Sequence, residues 1–301
     1  MISLNTAEAF AAYEAARHRL PRAVAGKPPP RRIGNLADIS DDFDVFLLDA
    51  FGVLNIGDTA IPDTPERVRV LQEAGKRVLV VSNAASVPRR DLLQKYADLG
   101  YAFDIEDIIT SRMAALAALA RAPSTHWGVM GVASAATGDF DGLQWDHLAE
   151  DAAAFDRAEG FLLVGSGEWS AAQQALIETS LASQPRKIWV ANPDIVAPRE
   201  TAFSTEPGYF AHRLAAIAGV EPVFFGKPFG NIFDLAFDRV GAADRSRIVM
   251  VGDSLHTDIL GAQTAGIASV LISGYGFFAR GDADAAIAQS GIVPDFIAER
   301  P

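Results

Sequence analysis

The chain has 301 residues, half of them apolar, enough to bury one large core or two ordinary ones. Its 26 basic and 38 acidic residues leave a formal net charge of -12, which argues against a nucleic-acid groove or an anionic membrane surface as partner. The absence of cysteine excludes disulfides, thiolate zinc sites and a cysteine nucleophile.

No apolar run approaches the roughly 18 residues that span a bilayer. The opening Met1-Ile2-Ser3-Leu4-Asn5 lacks the basic and apolar regions of a secretory signal, so a soluble cytoplasmic protein is the expectation. Residues 6–20 should form a short amphipathic helix, with Thr6 as N-cap, Phe10, Tyr13 and Leu20 on one flank, and Pro21 as its stop. Pro28-Pro29-Pro30 make the stretch to Arg32 an extended connector. Residues 1–40 then read as an arm that packs on the body or on a neighbouring subunit.

Val45-Phe46-Leu47-Leu48 is a continuous apolar run closed by Asp49 and then Gly52, the pattern of a buried strand that ends in a carboxylate. A helix follows from Thr64-Pro65 to Gly75, its C′ residue. Val78–Val81 is a second buried strand, ending in Ser82-Asn83. A helix from Pro88 to Leu99 is closed by Gly100, and a short strand at Ile108-Ile109 precedes an alanine-rich helix over 112–121. Such alternation is the grammar of a parallel sheet covered on both faces.

The middle third reads as a second αβ unit over 123–222. Its expected parts are a strand from Trp127 to Val132, an acidic irregular stretch around Asp139–Gly142, a strand at Gly160–Gly165 and a helix from Ser170 to Leu181. A strand at Ile188–Ala191, the run Asn192-Pro193-Asp194 and a helix near Tyr209–Ala218 complete it. The first unit then resumes with a short strand, Val223-Phe224-Phe225, ending in Gly226-Lys227-Pro228, and a helix over 230–240. Arg247–Val251 is a strand ending in Gly252-Asp253-Ser254 and leading to Asp258, and Ala268–Ile272 is the last clear strand. The expected division is an arm at 1–40, a core of 41–122 with 223–301, and the inserted unit at 123–222.

Four strands assigned to the core thus finish in polar residues: Asp49, Ser82-Asn83, Lys227, and Asp253 with Asp258. In a parallel sheet, strand ends of one sense share an edge, so these groups can converge. Asp49 and Asp253 can hold Mg²⁺, a hard cation that prefers oxygen ligands. Ser82 and Asn83 can orient phosphate oxygens, and Lys227 can face a transferring phosphoryl group. Taken singly, each is more often a solvated turn or a helix cap; the order of all four together is what carries the reading.

On these residues the chain resembles the haloacid dehalogenase superfamily, in the subclass with a large α/β cap between its second and third motifs, which includes phosphatases of 4-nitrophenyl phosphate, phosphoglycolate and pyridoxal phosphate. Asp49-Ala50-Phe51-Gly52-Val53-Leu54 stands at the first motif, Ser82-Asn83 at the second, Lys227 at the third, and Gly252-Asp253-Ser254 with Thr257-Asp258 at the fourth. Ala191-Asn192-Pro193-Asp194 is similar to the Thr-Asn-Pro-Asp run of the cap. The resemblance implies an α/β fold with a Rossmann-like parallel-sheet core and an inserted α/β C2-type cap. It implies a Mg²⁺-dependent hydrolase in which Asp49 becomes an aspartyl-phosphate, Ser82 bonds the phosphoryl oxygens and Lys227 positions both. Asp49, Asp253 and the backbone carbonyl of Phe51 would bind Mg²⁺, with Asp258 in the surrounding shell. Asn192 and Asp194 would approach the leaving group of a small phosphorylated metabolite. A homodimer formed through the cap is compatible with the subclass.

The match departs at Phe51, where the phosphatases carry the Asp that protonates the leaving oxygen; general acid–base help is typically worth about 10²- to 10⁴-fold. Ala84 replaces a polar residue, and Phe210 stands where the cap usually has a second glycine. The expectation is a phosphatase whose acid comes from elsewhere, the cap or the substrate itself, or whose substrate has a good leaving group. The alternatives are a non-phosphatase hydrolase of the superfamily and a regulatory protein that binds Mg²⁺ and a phosphorylated ligand without turnover.

Overall fold

The computed structural model describes residues 3–131, 139–199 and 203–301. Its larger sheet has seven strands, all parallel, in the order Arg31–Ile33, Phe296–Ala298, Ala268–Ile272, Ile248–Gly252, Val45–Leu48, Arg77–Ser82 and Ile108–Thr110. All four residues of Val45–Leu48 are buried. Strand alternation sends Phe46 and Leu48 into one core with Val80, Val251, Leu71 and Leu92. Val45 and Leu47 enter another with Leu79, Met250, Ile232 and Phe233. Helices Thr64–Glu73 and Arg89–Asp98 cover the first face and Gly230–Val240 the second. The next strand of this sheet along the chain, Arg77–Ser82, pairs on one side of Val45–Leu48, whereas Ile248–Gly252 pairs on the other. That makes Val45–Leu48 a topological switch point, where open α/β sheets bind ligands outside the strands' carboxyl ends.

A second sheet of five parallel strands runs Val223–Phe224, Lys187–Val190, Gly160–Leu163, His126–Met130, Gln144–His147. The strand expected to reopen the core, Val223–Phe224, therefore lies at the edge of this second sheet, where Phe224 joins Val190 and Leu214 in one apolar cluster. Lys227 follows that strand rather than a strand of the larger sheet. Val132, the expected end of the Trp127 strand, lies outside the described residues. Several elements carry too little apolar pattern to be read from sequence: Gln144–His147 is a half-exposed polar edge strand, and Arg31–Ile33 with Phe296–Ala298 are three-residue strands.

The arm departs from its expected form. Asn5, not Thr6, caps the first helix: its Oδ1 accepts the Glu8 N–H at 3.0 Å, and Glu8 Oε2 accepts the Asn5 N–H at 2.9 Å. That helix is Thr6–Ala15, and a separate 3₁₀ turn at Arg17–Arg19 intervenes before Pro21. Ala9, Phe10 and Tyr13 bury against Leu255, Ile259, Phe277, Ile195 and Phe203. Ahead of the helix, Ser3–Leu4 pairs antiparallel with Phe203–Thr205, which pairs in turn with Val196–Pro198. Among the described residues no helix is long and apolar enough to cross a membrane.

His212, in the Pro207–Ala218 helix, lies with its ring 5.1 Å from Phe224. Burial, helped by Arg19 and His18 and opposed by Glu221, holds its pKa down to about 4. The unfolded chain takes up that proton at about pH 6.5, so the folded state loses stability as pH falls from there towards the folded value. His212→Phe should flatten this part of the stability–pH profile by about 2–3 kcal/mol in urea titrations. An unchanged slope would show that His212 is not buried as the neutral ring.

Candidate active site

Asp49 leaves the Val45–Leu48 strand with its N–H still bonded to the Val251 carbonyl at 2.9 Å, so the carboxylate is launched from a fixed backbone. The chain then folds back on itself: the Gly52 N–H bonds the Asn55 carbonyl at 2.9 Å. Gly52 has φ 79°, and a Cβ there would lie 2.4 Å from Asp253 Oδ2. A Cβ on Gly276, with φ 65°, would clash with the same oxygen. Two glycines thus make the slot that admits the Asp253 carboxylate between two backbones, and the Phe277 N–H bonds its Oδ2 at 2.7 Å.

Lys227 is buried with its Nζ 2.6 Å from Asp49 Oδ1 and 2.7 Å from Asp258 Oδ1. Burial opposes its charge, but Asp258 and Asp49 hold its pKa above the ordinary lysine range. Asp258 Oδ2 accepts the Ser254 N–H at 3.1 Å, so both of its oxygens are engaged. Ligand oxygens of Asp49, Asp253 and Asp258 all lie within 4.8 Å of one another. Three carboxylates against one ammonium leave negative charge poorly compensated. Burial, with Asp258 adding to it, pushes Asp49 up to about 6 despite Lys227. Burial with Asp258 and Asp49 pushes Asp253 well above the carboxylate range. Oxygen donors with excess negative charge suit a hard divalent cation, and the free oxygens belong to Asp49 and Asp253.

Asn83 does something other than what the sequence suggested. Its Nδ2 donates to the Lys227 carbonyl at 2.9 Å and to Asp194 Oδ1 at 2.7 Å, while its Oδ1 accepts the Lys227 N–H at 2.8 Å. Both amide protons are used, so none remains for a phosphate oxygen; Asn83 instead fixes the lysine backbone and ties Asp194 to it. Ser82 Oγ accepts the Ala84 N–H at 3.2 Å, which leaves its O–H proton to donate. Asn192 Oδ1 accepts the Asp194 N–H at 3.0 Å, and its Nδ2 donates to Glu206 Oε2 at 3.3 Å.

These groups line a cavity of about 240 Å³ that includes Asp49, Phe51, Ser82, Asn192, Asp194 and Asp253. Phe51 is half-buried in its wall, with Lys95 Nζ 5.1 Å and Arg199 Cζ 5.5 Å from the ring centroid. Lys95, Arg199 and Tyr13 were not singled out from sequence. Tyr13, from the arm, also lines the cavity, and its hydroxyl accepts the Ile195 N–H at 3.1 Å.

Comparison with known proteins points to a hydrolase. The family model described as haloacid dehalogenase-like hydrolase matches residues 46–137, and a second, HAD-hydrolase-like, matches 224–299. The chain belongs to the haloacid dehalogenase-like hydrolases and is an enzyme of that family. It is 29% identical over 267 residues to human chronophin, covering 84% of this chain and 89% of that protein. It is 28% identical over 277 residues to chloroplastic phosphoglycolate phosphatase 1A of Arabidopsis thaliana, covering 84% and 73%. Among solved structures, a possible sugar phosphatase of the HAD superfamily from Cytophaga hutchinsonii superposes with TM-score 0.79 at 25% identity, over 90% of this chain and 98% of that one.

Removing Lys227 leaves Asp49 and Asp258 buried without their cation. Lys227→Met should lower unfolding free energy by about 3–5 kcal/mol in denaturant titration; equal stability would mean that the ion triad does not form.

Proposed function

We propose that the chain hydrolyses a small phosphomonoester through a phospho-aspartyl intermediate on Asp49. The observation that carries this is the position of Asp49 at the switch point, in contact with Lys227 and clustered with Asp253 and Asp258, with Ser82 beside it in the cavity. Asp49 attacks phosphorus, Ser82 O–H holds a phosphoryl oxygen, and Lys227 keeps Asp49 ionised and aimed while opposing the charge of the phosphate. Asp49, Asp253 and the Phe51 carbonyl would hold Mg²⁺, backed by Asp258. When bound, the ion offsets repulsion between Asp49 and a phosphate dianion. The unit built on the five-stranded sheet, Val223–Phe224 included, serves as the cap over the seven-stranded core, and it brings Asn192 and Asp194 to the substrate. A cavity of about 240 Å³ with Lys95 and Arg199 beside Phe51 suits a small, anionic metabolite. The relatives named phosphatases support the same reading.

Phosphate release from a panel of phosphomonoesters tests this. Turnover should need Mg²⁺, stop with a chelator, and be abolished by Asp49→Asn. Should phosphate bind without any ester turning over, the regulatory reading replaces the enzymatic one. Phe51→Asp should raise turnover of alkyl phosphates by about 10²-fold where a proton donor limits them.

A further inference from the structure

Phe51 cannot give a proton, so where the leaving oxygen needs one, the cavity's other lining groups are the candidates to supply it. The donors there are few. Tyr13 is one, but burial, with Asp194 adding to it, raises its phenol well above its ordinary pKa, which makes it a poor acid. Glu206 is another, but both oxygens are engaged: Oε1 accepts from Ser204 Oγ at 2.9 Å and faces Arg199 at 3.4 Å, and Oε2 accepts from Asn192. Lys95 is drawn away to the Gly57 carbonyl at 3.1 Å and Asp58 at 3.2 Å.

We infer that Asp194 is the general acid and base of this enzyme, giving its proton to the departing ester oxygen and taking one back from the water that follows. The inference rests on the phosphatase reading above. Asp49 enters the cavity from the seven-stranded sheet, whereas Asp194 follows the Lys187–Val190 strand of the five-stranded one. One oxygen of Asp194 is fixed, Oδ1 accepting from Asn83 at 2.7 Å. Among the described residues nothing donates to Oδ2, the oxygen left to carry a proton. Because Asn83 also grips the Lys227 backbone in both directions, nucleophile, lysine and acid are set by one side chain.

The charge around Asp194 favours the protonated form. Burial raises its pKa to about 8; Asn83 and Lys227 pull it down, and Asp49 and Asp258 push it up. Tyr13 also faces it, as a neutral phenol. A phosphate dianion arriving in the cavity adds like charge, which Mg²⁺ held at Asp49 and Asp253 would offset in part.

The steps balance. A carboxylate oxygen of Asp49 bonds to phosphorus as the ester P–O bond breaks, and the Asp194 proton passes to the departing oxygen, releasing an alcohol. Water then attacks the phospho-aspartate, its proton goes to the Asp194 carboxylate, and the bond from phosphorus to Asp49 breaks to release inorganic phosphate.

The test compares kcat/KM for 4-nitrophenyl, phenyl and alkyl phosphates, with Mg²⁺, in the parent, Asp194→Asn and the double variant Asp194→Asn with Phe51→Asp. This parameter covers events only up to departure of the leaving group, so it reads the first proton transfer. A nitrophenolate leaves without a proton and an alkoxide does not. Asp194→Asn should therefore lose about 10²- to 10⁴-fold on alkyl esters but much less on the 4-nitrophenyl ester, and the added Asp at 51 should restore alkyl turnover. An equal loss on every ester would show that Asp194 only holds Asn83 and Lys227, and would overturn the inference, as would no loss at all. If Asp194→Asn does not fold, Asp194→Ser is read by the same comparison. Hydrolysis of the 4-nitrophenyl ester that Asp49→Asn abolishes keeps the phosphatase reading standing whichever way Asp194 falls. Its absence in the parent would overturn both.

Discussion

The site depends on one buried ammonium. Lys227 is 1% exposed and touches two carboxylates that come from different stretches of chain, Asp49 after one central strand and Asp258 in the turn after its neighbour. Taking such charges out of water costs several kcal/mol each, and mutual attraction repays this only when the geometry is good. The surrounding architecture supplies that geometry. Adjacent strands set the carboxylates side by side, and Asn83 clamps the lysine backbone. The lysine itself arrives from the edge strand of the other sheet, so the charge balance of the site requires both sheets to be in place.

Much of this was legible in the sequence, because buried parallel strands advertise themselves as apolar runs with an abrupt polar end. Asp49, Ser82, Lys227 and Asp253 were found that way, and the family likeness added the expected order. Legibility failed where burial is partial or partners are distant. Gln144–His147 presents no apolar face to read, and Val223–Phe224 is too short to declare which sheet it joins. Asn83 could be placed beside the site but not assigned its partners, since those lie 111 and 144 residues away. Tyr13 could be read as part of the arm helix's apolar flank, but only the packing of the arm brings it to the cavity.

Phe51 illustrates how one substitution spreads through its surroundings. An acid at that position would sit beside Lys95 and Arg199; the ring instead offers them its π face, at 5.1 and 5.5 Å. Arg199 follows the Val196–Pro198 strand of the small three-stranded sheet and Lys95 lies in a helix on the seven-stranded one, so the ring joins two sides of the cavity through weak cation–π contacts.

The two-residue strand Ser3–Leu4 has a mechanical meaning. It is hydrogen-bonded to the hairpin at Phe203–Thr205, while the helix that follows is embedded against Leu255 and Ile259 beside the carboxylate cluster. The N-terminus is thus a tether across the crevice. The sheets cannot swing apart as two free bodies on a hinge; any wide opening must first unzip that short pairing or drag the arm along.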